Sequence, residues 1–145
     1  MRFWDTSALV PLLVQEKATP WAESLLSQDP EVVVFWLAEA EATSALNRRR
    51  REGALSEKGY KQAKERLSRL RDSWHEVLPT EAVKRQAIKF LELYPLRTLD
   101  ALQLGALWVF SEGNPLGTRL VSLDLRLIQA AEQVGFPVEK PTPFW

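Results

Sequence analysis

Residues 1–9 read Met1-Arg2-Phe3-Trp4-Asp5-Thr6-Ser7-Ala8-Leu9, a short strand-like run that stops at a carboxylate followed by two hydroxyl residues. This reads as a strand up to Asp5 and a helix from Ser7. A strand covered on both faces, as in a parallel sheet, has no room for a charge except at its end. Asp5 is therefore expected at that end, where open α/β sheets bind ligands in the crevice beyond the strands. Asp, Thr and Ser also cap helix starts, so for Asp5 taken alone a cap and a site residue are both open readings.

Strand-like and helix-like segments alternate from there on. A helix is expected over 7–15 with Pro11 in its early turns, and another over 20–27 with Thr19 as N-cap and Pro20 at the first helical position. Residues 31–36, with Val32-Val33-Val34-Phe35-Trp36, are β-branched and aromatic and read as the second strand. Helices follow over 37–51, closed by an arginine run and Gly53, and over 56–71, where Tyr60, Ala63, Leu67 and Leu70 form one apolar face. A weak third strand is expected over 74–78 and a helix to Leu93. Residues 98–110 form the most apolar helix, expected to be buried on nearly every side. After a polar loop at 112–117, a fourth strand over 119–123 is ended by Asp124 as the first is by Asp5. A helix over 125–134 and a short strand over 136–138 lead to a Pro-rich tail. This order predicts one α/β domain, residues 1–145, with a parallel sheet covered by helices on both faces.

Composition narrows the chemistry. The 145 residues contain no cysteine and one histidine, which removes thiol nucleophiles and thiolate or His-rich zinc sites and leaves catalysis to carboxylates. No window approaches the roughly 18 apolar residues of a membrane span, so a soluble, cytoplasmic protein is expected. Net charge is zero, yet residues 48–72 carry ten Lys or Arg against four Asp or Glu.

Asp5 and Asp124, both closing strands of a parallel sheet, are expected on one rim. Asp100 lies in the first turn of the apolar helix, where the dipole favours an acid and where the helix start faces that rim. Glu41 has Leu37, Ala38, Ser44 and Ala45 as its helical neighbours, a small apolar stripe in which an unpartnered carboxylate is costly. Four converging acids repel one another, and a divalent cation relieves that repulsion. With oxygen donors only, the preference falls on Mg²⁺ or Mn²⁺, which act typically on phosphates.

Trp4-Asp5-Thr6-Ser7-Ala8-Leu9, Glu41-Ala42-Thr43-Ser44-Ala45-Leu46, Leu99-Asp100-Ala101-Leu102-Gln103-Leu104 and Val121-Ser122-Leu123-Asp124 resemble, in order and separation, the four acidic motifs of PIN-domain nucleases, and most of all those of VapC-type toxins of toxin–antitoxin pairs. The resemblance implies a three-layer α/β/α sandwich around a parallel sheet of about five strands. It implies Mg²⁺- or Mn²⁺-dependent endoribonuclease activity, with Asp5, Glu41, Asp100 and Asp124 holding metal and positioning the attacking water. Thr6 and Ser122 match positions where relatives keep a hydroxyl beside the site. The implied partners are an RNA substrate and a cognate antitoxin, and a homodimer is expected. Gln103 stands where many relatives have His, a departure expected to alter fine structure more than catalysis. Glu39 is a second acid near Glu41 but points about 200° away around the helix.

The basic residues from Arg48 to Arg71 could track an RNA backbone, or simply solvate a helical hairpin. Trp4, Trp36 and Trp108 are expected in buried elements, His75 in a structural place, and Phe144-Trp145 either docked on the body or lent to a partner. Two other Asp-first α/β families fit less well. A haloacid-dehalogenase-type phosphatase needs a second Asp where Ser7 stands, and a response-regulator receiver needs an acidic pair and a late Lys that are misplaced here. The remaining alternative is a non-catalytic module of the same fold that binds RNA or a partner protein.

Overall fold

The computed structural model describes residues 1–143. The strands are β1 (Arg2–Trp4), β2 (Val32–Phe35), β3 (His75–Val77), β4 (Arg119–Val121) and β5 (Val138–Glu139). The helices are α1 (Thr6–Leu13), α2 (Thr19–Gln28), α3 (Ala38–Arg51), α4 (Glu57–Ser73), α5 (Glu81–Leu93), α6 (Thr98–Phe110) and α7 (Leu125–Val134). All strand pairs are parallel, in the order β3-β2-β1-β4-β5. The chain winds outward from β1 through β2 to β3, then returns to the other side of β1 with β4 and β5. The direction of winding therefore reverses between β1 and β4, where an open sheet forms its ligand crevice.

Strand alternation builds two cores. Trp4, Val32, Val34 and Val121 face α1–α4, while Phe3, Val33, Phe35 and Leu120 face α5–α7. The strands are short, but in the central strands, covered on both faces, β2 is buried throughout and β1 and β4 at all but their first residue, which is how three- and four-residue strands hold the centre of the molecule. Trp4 is fully buried, at 0 % exposure, and truncating it to Ala is expected to cost about 3–5 kcal/mol.

Local signals explain most element boundaries. Ser56 and Thr80 accept from the Gly59 and Val83 amides and cap α4 and α5. Gly53, at φ +76°, and Gly135, at φ +111°, turn the chain at the ends of α3 and α7, where the left-handed backbone favours glycine. Pro11 sits inside α1 without breaking it. Several details differ from expectation: the last strand is Val138–Glu139 rather than 136–138, and α1 runs Thr6–Leu13 rather than 7–15. Thr19 is the first residue of α2 rather than its cap; its hydroxyl donates to the Pro11 carbonyl at 2.7 Å and accepts from the Glu16 amide, bracing the α1–α2 turn. β2 ends at Phe35, so Trp36 falls in the turn beyond it and is 50 % exposed instead of buried. β4 ends at Val121, and Asp124 caps α7 rather than closing the strand. α6 is not buried all round, because Leu99 in its first turn is exposed. Phe144-Trp145 lie outside the described residues.

Candidate active site

β1 turns directly into α1 at Asp5, and β4 leads through Ser122 and Leu123 into α7 at Asp124. Asp5 caps α1, its Oδ1 accepting from the Ser7 amide at 2.7 Å. Asp124 caps α7, its Oδ1 accepting from the Arg126 and Leu127 amides at 3.0 and 3.4 Å. Capping and lining a pocket are compatible because each carboxylate has a second oxygen. Asp5 and Asp124 join Glu41 from α3 and Asp100 from α6 in the wall of a pocket of about 520 Å³.

Asp5 is held by a seam of hydroxyls across the two strand ends. Its Oδ2 accepts from Ser7 Oγ at 2.8 Å and from the fully buried Ser122 Oγ. Ser7 Oγ in turn accepts from the Leu123 amide, and Ser122 Oγ from the Asp124 amide. Glu41 is held at one oxygen, since Thr6 Oγ1 and Gln103 Nε2 both donate to its Oε1, at 3.2 and 3.0 Å. Thr6 and Ser122 thus each touch one of the acids. Ser7 and Gln103 do so as well, although the sequence reading gave Ser7 no role and Gln103 only a minor one. The signal for Ser7 was present in the same Asp-Thr-Ser triplet; Gln103 could have been found as the residue one helical turn from Asp100.

Burial pushes the Asp5 carboxyl above its ordinary range, against the hydrogen bonds from Ser122 and Ser7, and the Asp124 charge adds to the rise. Glu41 is raised in the same way, by burial first, with the Asp5 and Asp100 charges adding to it. Both acids thus lack sufficient positive charge nearby. Among the described residues, the cation that touches acids of this pocket is Arg97, the residue before α6, and it reaches the other two. Its Nε lies 3.1 Å from Asp100 Oδ2 and its Nη2 lies 3.5 Å from Asp124 Oδ2. Among the described residues no three His, Asp or Glu side chains are gathered tightly enough to hold one ion between them. The donor chemistry nonetheless suits a hard divalent cation: the acids offer oxygen only, two of them are destabilised by burial as anions, and the buried Gln103 Oε1 has no hydrogen-bond partner.

Several other charged residues are occupied elsewhere. Glu39 pairs with Arg71 at 2.9 Å, and His75 lies 3.7 Å from Glu31 on the surface. Within the basic stretch, Arg49 pairs with Glu16 and Arg66 donates to the Leu13 carbonyl, so both tie helices together. Arg48 lines the acidic pocket. Arg50, stacked on Tyr60 at 4.0 Å, borders a separate groove with Lys58, Lys61 and Lys64. A hollow of about 290 Å³ lined by Leu12, Leu26, Leu70, Arg66, Arg69 and Glu23 has one carboxylate and no comparable convergence.

Comparison with solved structures finds the same fold in several proteins. VapC20 from Mycobacterium tuberculosis, a sarcin-ricin-loop-cleaving toxin, aligns over 97 % of this chain and 100 % of its own, with TM-score 0.70 and 21 % identity. A toxin–antitoxin complex from Klebsiella pneumoniae aligns over 97 % and 98 %, with TM-score 0.67 and 15 % identity. FitAcB from Neisseria gonorrhoeae aligns over 98 % and 99 %, with TM-score 0.65 and 17 % identity. At such identities the likeness is one of fold. Among curated proteins, none matches this sequence. The family model described as PIN domain matches residues 2–107, which takes in Asp5, Glu41 and Asp100. With that match over most of its length, and with a fold shared with the toxins above, the chain belongs to the PIN-domain family.

Proposed function

We propose that this protein is a metal-dependent endoribonuclease, the toxin of a type II toxin–antitoxin pair, with Asp5, Glu41, Asp100 and Asp124 as its catalytic acids. The observation that carries the reading is the convergence of these four carboxylates, from four separate parts of the chain, in one pocket at the β1–β4 reversal. Support for the toxin assignment comes from PIN-family membership and from the named functions of the structural neighbours, one of which cleaves the sarcin-ricin loop. One of those neighbours is a toxin–antitoxin complex, which supports an antitoxin partner for this chain.

The four acids would hold Mg²⁺ or Mn²⁺, which when bound lowers the pKa of a water and offsets the charge developing on a phosphate. The remaining work belongs to the chain. Thr6 and Gln103 fix Glu41 by one oxygen and leave Oε2 for the pocket. The Ser7–Ser122 seam fixes Asp5 against both strand ends. The α7 amides fix Asp124 by Oδ1, leaving Oδ2 toward Arg97. Carboxylates held in this way orient the attacking water for in-line displacement at phosphorus, in which a P–O bond forms to the water oxygen as the opposite P–O ester bond breaks, the water losing a proton and the departing ribose oxygen gaining one.

A homodimer is supported by exposed apolar side chains, among them Trp36, Leu78, Ile88 and Leu91. No helix among the described residues is long and apolar enough to cross a membrane, and a cytoplasmic location follows from the toxin reading.

The test is cleavage of a mixed RNA in low salt with Mg²⁺ or Mn²⁺, comparing wild type with D5N and D100N. Metal-dependent cleavage that falls to background in both variants is expected. Salt-sensitive RNA binding without cleavage would instead favour a non-catalytic binding module.

A further inference from the structure

Arg97 holds the N-cap position of α6, yet its side chain reaches two of the four acids instead of capping the helix. It precedes α6 with extended backbone, φ −77° and ψ 159°, and its side chain makes no cap bond. The side chain is 66 % exposed at the pocket mouth. Its contacts fall on oxygens that a cation would need: Asp124 Oδ1 is taken by two α7 amides, so Oδ2 is the donor left for the pocket, and that is the oxygen Arg97 touches. A guanidinium and a divalent ion on the same oxygens repel each other and divide the same negative charge, so each weakens the other's hold.

The phosphate side of the reaction points to the same residue. An RNA phosphate entering a pocket walled by carboxylates is repelled, and among the described residues the cationic side chains lining this pocket are Arg48 and Arg97. Arg48 projects from the α3 face that also carries Glu41 and Ala45. Arg97 lies on the opposite side, beside Asp100. A planar guanidinium matches two phosphate oxygens at once, in the geometry it uses for a carboxylate. Moving from the acids to an adjacent phosphate requires only side-chain rotation of an exposed residue.

We propose that Arg97 competes with a divalent cation for Asp100 and Asp124 and, when displaced, binds the phosphate of the RNA substrate. The second half rests on the nuclease reading above; the first half does not. Exchange of one positive group for another keeps the acids neutralised throughout, and it makes phosphate binding depend on metal loading.

The test begins without RNA. Mn²⁺ is titrated calorimetrically into the full chain, and R97Q is expected to bind it roughly five-fold more tightly than wild type, the effect of losing one exposed ionic competitor. RNA affinity is then measured in saturating Ca²⁺ with RNA integrity checked on a gel. There R97Q is expected to bind more weakly, with the slope of log K against log salt reduced by about 0.7, the share of one single-strand phosphate contact. R97K, which keeps the charge but not the planar fork, should bind Mn²⁺ like wild type and RNA more weakly. Unchanged or weaker Mn²⁺ binding by R97Q overturns the competition, and RNA affinity unchanged in both variants overturns the phosphate contact. A wild type that binds Mn²⁺ but neither binds nor cuts RNA defeats the nuclease reading, and with it the phosphate contact, while the calorimetric comparison still decides the competition.

Discussion

At the scale of single residues, the site works by dividing each carboxylate into an anchored oxygen and a working one. Glu41 Oε1 receives both Thr6 and Gln103, and Asp124 Oδ1 receives two backbone amides. Removing an orienting donor leaves the acid present but loosely aimed. Q103L is therefore expected to lower kcat by about 10–100-fold, with a melting temperature close to wild type, and T6V to act similarly through the same oxygen. Steady-state kinetics alongside thermal melts separates this from a folding defect. The raised Asp5 and Glu41 give a second expectation. In the window above the ordinary carboxylate range, the folded chain binds more protons at these sites than the unfolded chain does. Stability is then greatest below that window and falls as pH rises through it. Urea midpoints measured in EDTA from pH 4 to pH 7 should show this decline, with a shallower slope in D5N; an identical slope would show that Asp5 is not the group responsible.

At the scale of elements, the position of α6 decides whether Asp100 and Gln103 reach the pocket at all. α6 packs against α5 through Gly105, where a Cβ would lie 2.8 Å from the Val83 carbonyl oxygen and 3.1 Å from the Ala87 amide. Both atoms are backbone and cannot swing aside, so G105A must push the helices apart. A loss of about 1–3 kcal/mol is expected from denaturant midpoints. A fall in nuclease activity larger than the lost folded fraction should accompany it, because the displaced helix carries Asp100. Around this contact Phe90, Trp108 and Phe136 stack edge to face at 5.9 and 6.3 Å, which fixes the α5–α6 layer against the end of α7. The sequence reading of α6 as the most apolar helix was sound for its centre. It failed at Leu99, since the first turn of a helix opening onto the strand-end rim has no layer above it.

At the scale of the whole molecule, a net charge of zero conceals a division of labour among the basic residues. Arg49 and Arg66 tie α3 and α4 to the α1 end of the molecule, whereas Lys58, Lys61 and Lys64 line a groove beside Arg50. The K61Q/K64Q double variant is expected to weaken RNA binding at low salt and flatten its salt dependence without shifting the melting temperature. R66Q should instead lower the melting temperature, since it leaves the Leu13 carbonyl without its 2.9 Å donor. Filter binding and melts on the two variants distinguish a nucleic-acid surface from a structural one.

What could be read from the amino-acid order was whatever depends on local pattern. Strand-length apolar runs broken by acids and followed by helical periods indicated a covered parallel sheet, and the first break marked Asp5, because a charge can lie only at the end of a doubly buried strand. Asp124 was legible as an acid at a helix start, three residues beyond its strand. Glu41 and Asp100 were visible as acids set in otherwise apolar helical faces. The strand order was not local, and neither was the reversal at β1 and β4 that brings residues 5 and 124 together. Ser122 meets Asp5 and Ser7 meets the Leu123 amide across that reversal, Gln103 meets Glu41 across 62 positions, and Arg97 meets Asp124 across 27. Periodicity reports which face of an element is buried but not which element it is buried against. The residues that bear charge were therefore written in the sequence, while the partners that hold and neutralise them were decided only when the sheet assembled.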